Sequence, residues 1–245
     1  VSMVDRVSLV LRTFGAAGPM TLAQVTARTG LPRSSVHRLL DQLAQAGWLA
    51  KSPGQTYELG VHAYEVGQAA LRHNRLLQAA TPVMRAFAHR TGFTIHLGVV
   101  DRGDTVYLAK TGGRRSGPTP TAVGQRIPAH LTAVGKVQMA MPQPADRTGP
   151  RGRPVAPFHH PAIAFAQEME EIRRRGAAFD RGEAFSGIGC VGVSIGPADH
   201  PYGNLAGLSM SAAVGTFEPR ELVGPLRIAA REIWERSVAT DLASD

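Results

Sequence analysis

The segment PRSSVHRLLDQL, Pro32 to Leu43, sets cationic and hydroxyl side chains against a leucine stripe. At helical spacing, Arg33, Ser34, Ser35, His37 and Arg38 fall away from Val36, Leu39, Leu40 and Leu43. Such side chains near the start of a helix can read DNA. Arg donates bidentately to guanine or to phosphate, Ser bonds either, and a helix N-terminus attracts phosphate. Lys51 and Gln55, a few residues on, are placed to reach the backbone or the minor groove, and Arg6 can add a phosphate contact. The competing reading is an ordinary three-helix cluster whose polar face is solvated.

A second set lies in the latter half. Ser209 and Ser211 alternate with Leu208 and Met210, so both hydroxyls share one face of a strand and can bond a carboxylate or hydroxyl ligand. Otherwise that face meets solvent. Cys190 is the single cysteine, which excludes a disulfide framework and an all-cysteine metal site. It has no activating partner nearby in sequence, so it reads as a small buried hydrophobe. GIGCVG, Gly187 to Gly192, matches GxGxxG literally, but the run VSIGP that follows is strand-like and no acid sits about 20 residues on. Of the nine histidines, His159 and His160 lie in a Pro-rich loop, while His96 and His130 could join Cys190 in a soft site or simply line a pocket. EMEEIRRRG offers Glu170–Arg174 and Glu171–Arg175 as ion pairs, stopped by Gly176. The pairs Arg114–Arg115 and Arg151/Arg153 read as solvated loop cations or assembly contacts. No catalytic set, cofactor motif or metal site survives this inspection.

The elements that must position these residues follow from periodicity. Val4, Val7, Leu9, Val10, Leu11 and Phe14 predict a first helix ended by Gly15 to Pro19. Thr21 is a natural N-cap for a second, with Leu22, Val25 and Ala27 inward and Gly30 as its stop. After the turn Leu31–Pro32 comes the reading helix, with Ala46 extending its apolar face and Gly47 closing it. WLAKS and TYELG around Pro53–Gly54 predict a hairpin. From Val61 to about Gly92 the pattern is helical, with Pro82 expected in the first turn of a second helix. FTIHLGVV and TVYLAKT predict another hairpin, and 112–130 and 142–161 predict loops. Helices are expected near Thr132–Met141, Ala162–Arg175 and Glu218–Val238. CVGVSIG and LAGLSMSAAV are expected as strands around the turn DHPYGN. The expected fold class is α+β, a winged helix-turn-helix joined by connecting helices to a sensor-type domain.

At 245 residues the chain accommodates two domains, and 43% hydrophobic with 19% charged content excludes wholesale disorder. No apolar run reaches the roughly 18–20 residues of a membrane span. Val1–Asp5 lacks the pattern of a secretory leader, so a cytoplasmic protein with no membrane partner is expected. Net charge is +8, yet the residues up to 70 hold six basic and four acidic side chains, so DNA binding rests on geometry rather than on bulk charge.

These features resemble the IclR family of bacterial transcriptional regulators over nearly the whole chain. The stretch TLAQVTARTGLPRSSVHRLLDQLAQAGWLAKSPGQTYELG resembles its winged helix-turn-helix. GQRIPAHLTAVGK and DRGEAFSGIGCVGVSI resemble its two ligand-domain signatures. The resemblance implies a winged head over 1–60, a connecting helix over 61–75 and a GAF-like effector domain over 76–245. It implies a regulator, here expected to be a repressor rather than an enzyme. Its partners would be a double-stranded DNA operator, a small-molecule effector such as a carboxylate or aromatic acid, and further copies of itself as homodimer or homotetramer. The effector site carried over comprises Ile127, Ala133, Val134, Asp180, Ile188, Cys190, Ser209 and Ser211. Ala133 and Val134 depart from the small or glycine residues common there and add bulk.

Overall fold

The computed structural model describes residues 2–115, 117, 119–141, 162–197 and 206–242. They divide into two compact units, Val1–Asn74 and Arg75–Asp245. His159, His160, Arg151, Arg153 and the turn Asp199–Asn204 lie outside the described residues.

The first unit runs α1 (Met3–Ala17), β1 (Met20–Thr21), α2 (Leu22–Thr29), α3 (Arg33–Gln45), β2 (Leu49–Ser52), β3 (Thr56–Leu59) and α4 (Val61–Arg72). Thr21 and Gln24 form a capping box at the head of α2, and a second box, Ser2 with Asp5, opens α1. Gly30 takes the left-handed conformation (φ 65°) and ends α2, as expected of a glycine stop. Val10, Phe14, Val25, Val36, Leu39, Leu40 and Leu43 close one core. Helix α1 continues past Gly15 to Ala17, since the break falls at Gly18 (φ 69°). Ala27 and Ala46 are exposed, because a methyl group adds too little apolar area to fix which side of a short helix faces inward. The hairpin forms as expected, Lys51 opposite Tyr57, and β1 adds a third strand in the order β1-β3-β2.

The second unit runs α5 (Arg75–Thr91), β4 (Thr94–Asp101), β5 (Asp104–Thr111), β6 (Arg126–Pro128), a 3-10 turn (Ala129–Leu131), α6 (Ala133–Ala140), α7 (Ala162–Arg175), β7 (Ala178–Arg181), β8 (Ile188–Ile195), β9 (Ala206–Ala213) and α8 (Val223–Leu242). Its sheet is antiparallel in the order β6-β5-β4-β9-β8-β7. Pro82 does not open a helix. It sits inside α5, where the buried stripe Ala79, Ala80, Val83, Met84, Phe87 and Ala88 outweighs the lost backbone bond. The chain instead breaks at His73–Asn74. Helix α8 starts at Val223 rather than Glu218, which places Pro225 in its first turn, where no N–H is needed. Short strands β6 and β7 lack a period long enough to be read in sequence, and β6 falls within the stretch expected as loop.

The two faces of this sheet differ. Ile95, Leu97, Leu208, Met210, Val191 and Val193 form one apolar face that packs with α5 and α8. The intervening residues Thr94, His96, Ser209, Ser211 and Asp180 are also buried, on the face that α6 covers. Buried polar groups are costly unless bonded or kept for a ligand, so this face draws attention.

Candidate functional site

On the first unit, Arg33, Ser34, His37 and Arg38 stand exposed on α3 with Ser35 half-buried beside them. The N-cap position, Pro32, provides no side-chain cap, so the first N–H groups of α3 are open to an anion. Arg33 and Arg38 have no carboxylate partner among the described residues. His37 and Lys51 do: His37 Nδ1 lies 3.2 Å from Asp41 and Lys51 Nζ 3.0 Å from it. The Tyr57 hydroxyl donates to the same carboxylate at 3.5 Å. The bond from Lys51 holds the Asp41 carboxyl below its ordinary range, and the same bond raises Lys51. Asp41 thus ties the hairpin to α3, a role not foreseen from sequence, although His37 and Asp41 at i,i+4 was a visible signal. Gln55 sits at the hairpin tip with positive φ (57°), exposed. Arg6 is half-buried on α1, and its Nε is buried without a hydrogen-bond partner.

On the second unit, Ser209 and Ser211 share one face and are each only 2% exposed, so the solvent alternative falls. Ser209 pairs with His96 and Gly192, Ser211 with Thr94 and Cys190, and Cys190 with Asp180, which puts all these side chains on the α6 side. A polar chain runs across them. Cys190 Sγ lies 3.1 Å from Ser211 Oγ, which is 3.3 Å from His96 Nδ1, and His96 Nε2 is 2.8 Å from Thr121 Oγ1. Burial, with the charge of Lys110 second, lowers His96 to about 3, so its ring is neutral at pH 7. Lys110, opposite His96 on β5, donates to the carbonyls of Thr119 (2.9 Å) and Thr121 (2.6 Å). Its ammonium is the charge that acts on His96. Burial pushes the Cys190 thiol up to about 12, which leaves it protonated and a poor nucleophile.

Asp180 accepts at Oδ1 from the N–H groups of Gly182 (2.9 Å) and Glu183 (2.7 Å), so it braces the β7–β8 turn. Its burial raises its pKa. Ile188 is half-buried at the start of β8, on the same face as Cys190. Ile127 is buried on edge strand β6 opposite Thr105. From the level of Thr94, which faces Ser211, to that of Val100, which faces Thr105, is about 20 Å of strand, so Ile127 is not brought to Ser211. Ala133 and Val134 open α6 under the Thr132 cap, whose Oγ1 accepts from Gly135 N–H at 2.9 Å. The added bulk of Val134 meets glycines: a Cβ on Gly98 or Gly207 would lie 3.1 Å from its Cγ1. Lys136, the lysine of the GK pair, is buried and bonded to Glu168 (2.9 Å) and Glu183. It joins α6, α7 and the β7–β8 turn. Lys110 and Thr121 extend the face beyond the residues singled out in sequence, and His96, read there as a soft-site or pocket-lining histidine, lies on it beside Ser211; the alternation Thr94, His96, Gly98 in FTIHLGVV was the available signal.

Strand β8 takes up GIGCVG from Ile188, and among the described residues the next element is strand β9 rather than a helix, so the motif lacks the helix that a phosphate-cradling turn needs. Among the described residues no group of three or more His, Cys, Asp or Glu could hold a metal ion. In α7, Glu171 pairs with Arg175 (3.8 Å) as expected, whereas Glu170 pairs with Arg173 (2.5 Å) rather than Arg174, since i,i+3 is an equally close neighbour on a helix. Among the described residues no helix is long and apolar enough to cross a membrane.

Residues 3–53 match the family model of the IclR helix-turn-helix domain, and residues 68–235 that of the bacterial transcriptional regulator IclR C-terminal domain. The HTH-type transcriptional regulator XynR of Escherichia coli (strain K12) is 28% identical over 229 residues, covering 91% of this chain and 90% of the relative. The DNA-binding transcriptional repressor YiaJ of the same organism is 30% identical over 226 residues, covering 86% and 79%. An IclR homolog from Microbacterium hydrocarbonoxydans, solved in complex with 4-hydroxybenzoate, superposes with TM-score 0.76 at 25% identity over 97% of this chain and 100% of that one. A regulator from Alicyclobacillus acidocaldarius shares the fold with TM-score 0.79 at 21% identity, covering 96% and 98%. These relatives are transcriptional regulators, not enzymes.

Proposed function

The chain belongs to the IclR family of bacterial transcriptional regulators, and from that membership we propose a repressor whose hold on its operator is set by a small carboxylate-bearing metabolite. It is a regulator with a DNA-binding helix-turn-helix and a C-terminal ligand-binding domain. The single observation that carries the finer reading is the polar sheet face, where Ser209, Ser211 and neutral His96 are buried side by side with Lys110 at hand. Hydroxyls and a neutral imidazole bond a carboxylate without repelling it, and one ammonium offsets its charge. A solved relative holding 4-hydroxybenzoate supports an aromatic acid, and relatives named as repressors support the sign.

The proposed domain division is a winged head over 1–60, a connecting helix over 61–75 and the effector domain beyond. In the head, Arg33, Ser34, Ser35, His37 and Arg38 meet base edges and phosphates, while Lys51, Gln55 and Arg6 meet the backbone. A homodimer or homotetramer is supported by α4, which has no buried residue and exposes Val61 (69%) and Tyr64 (67%). Ligand binding changes operator affinity only through unequal affinity for two arrangements of such an assembly, with typical coupling of about 1–3 kcal/mol.

The test is a titration of the chain's own upstream DNA at two salt concentrations, with and without 4-hydroxybenzoate, and with 4-hydroxybenzamide as the carboxylate-free control. One site should be preferred over other duplexes, and only the acid should release it. In Ser209→Ala/Ser211→Ala the release should vanish while ligand-free DNA affinity holds. Wild-type affinity of that variant for the acid, measured by calorimetry, would place the site elsewhere.

A further inference from the structure

The described surface of the second unit carries a cleft of about 490 Å³ between the C-terminal turns of α5 and the segment that leaves β5. Arg85, His89, Arg90, Arg114 and Arg115 line it, and no carboxylate does. Guanidinium groups do not lose their proton in proteins, so four fixed positive charges face one space. None of the four arginines has a carboxylate partner among the described residues.

The helix dipole accounts for only part of this. Cations in the last turn of a helix, here His89 and Arg90, are stabilised by the carbonyl end. Arg85 lies a turn earlier, and Arg114 and Arg115 come from a different element. The two elements are held together closely. Arg115 N–H donates to the Gly92 carbonyl at 2.6 Å, and a Cβ on Gly113 would sit 2.2 Å from that same oxygen. Two of the guanidinium groups are also stacked: Arg115 lies 4.9 Å from the centre of the Phe93 ring and Arg90 5.7 Å from that of Phe87. Stacking fixes forks that would otherwise pay rotamer entropy when they close on a ligand.

We propose that this cleft binds a small polyanion, a phosphate ester or a polycarboxylate, at a site separate from the sheet face. The volume suits a metabolite-sized ligand. Bidentate forks match phosphate and carboxylate oxygens alike, so the shared chemistry is a multiply charged oxyanion. The cleft borders Thr111, next to Lys110 on β5, so an anion here would brace the strand whose ammonium acts on His96.

The test uses the full chain, with inorganic pyrophosphate and citrate as probes against sodium chloride at matched ionic strength. Calorimetry should detect binding of at least one probe, and thermal unfolding should shift upward over the chloride control. Arg85→Ala/Arg114→Ala, at two exposed positions with no ring contact, should weaken that binding by about tenfold or more with little change in the probe-free midpoint. Binding of pyrophosphate alone identifies a phosphate ester, and binding of citrate alone a polycarboxylate. Ser209→Ala/Ser211→Ala should bind the probe as wild type does; a loss there would mean that the anion sits on the sheet face and would overturn the proposal. So would two other results: no probe bound more tightly than chloride, or a double arginine variant that loses affinity only for DNA, which would make the cleft a contact for the duplex backbone.

Discussion

The exposed face of α3 in the winged unit and the polar sheet face of the second unit use similar side chains under opposite conditions. On α3 the arginines and the histidine stand exposed, outside the apolar stripe of Val36, Leu39, Leu40 and Leu43 that packs the helix. On the sheet, His96, Ser209 and Ser211 are nine-tenths buried or more, so each is held by the fold and contributes to it. Exposed groups can be changed at little cost to stability, whereas buried ones cannot. A mutation in the first region should therefore move binding alone, and one in the second should move stability and binding together.

The largest expected departure lies where a charge is buried. Lys136→Met leaves Glu168 and Glu183 without their shared ammonium. We expect a loss of about 3 kcal/mol in urea unfolding, the low end for breaking a buried pair, because both carboxylates keep about a third of their surface in water. The control is Arg231→Ala, which removes an exposed partner of Glu235 and should cost no more than about 0.5 kcal/mol. Equal losses from the two variants would erase the contrast between the regions.

On the reading helix the contrast should invert. Arg33→Ala and Arg38→Ala should leave the unfolding free energy within about 0.5 kcal/mol of wild type and weaken operator binding by about 1–3 kcal/mol for a side chain that reads a base. One that meets only phosphate should weaken binding on all duplexes and shallow the salt slope. Unchanged affinity in both variants would remove α3 from the interface.

A pH series sharpens the buried half. His96 is lowered to about 3 in the fold, below its ordinary 6.5, so the unfolded chain takes up a proton that the folded chain refuses. Stability from this group is full above pH 6.5 and is lost as pH falls toward 3, at up to about 1.4 kcal/mol per pH unit. Asp180, raised by burial above the ordinary carboxylate value, works the other way, since the folded chain then holds the proton longer as pH rises. His96→Gln keeps a donor and an acceptor for Ser211 and Thr121 but cannot be protonated, so its acid slope should be shallower than that of wild type. Parallel slopes would show that His96 meets water before global unfolding.

The same contrast explains what could be read in the sequence. Val36, Leu39, Leu40 and Leu43 announced α3, and the residues left over were its exposed face, so a local period sufficed. The serines on β9 were legible as a pair for the same reason. Their setting was not, because His96, Lys110 and Thr121 reach them through strand pairing and a loop more than 80 residues away in the chain. Nor was the join of Lys136 to two separate acids, or the accommodation of Val134 by Gly98 and Gly207. Pro82 misled because local chemistry favours a helix start there while a long buried stripe overrides it. Short strands β6 and β7 have too few residues to establish a period.

The smallest effect should come from Asp41, where the two regimes meet. Its carboxylate holds Lys51 and His37, yet it stands on α3, the helix proposed to meet phosphate. As an exposed ion-pair member it is worth little to stability, so Asp41→Asn should leave the unfolding midpoint nearly unchanged. Its effect on DNA has two parts of opposite sign. Loss of a negative charge beside the duplex raises affinity for any sequence. Loss of the tether frees Lys51 and the hairpin to meet phosphates without the operator's register, which lowers the advantage of the specific site. The charge acts on every duplex and the tether only on the right one. Asp41→Asn should therefore tighten non-specific binding severalfold, leave operator affinity nearly constant and narrow the ratio between them, as read by titration on the operator and on a scrambled duplex at two salt concentrations. A wider ratio would mean that Asp41 repels the operator more than it orders the wing.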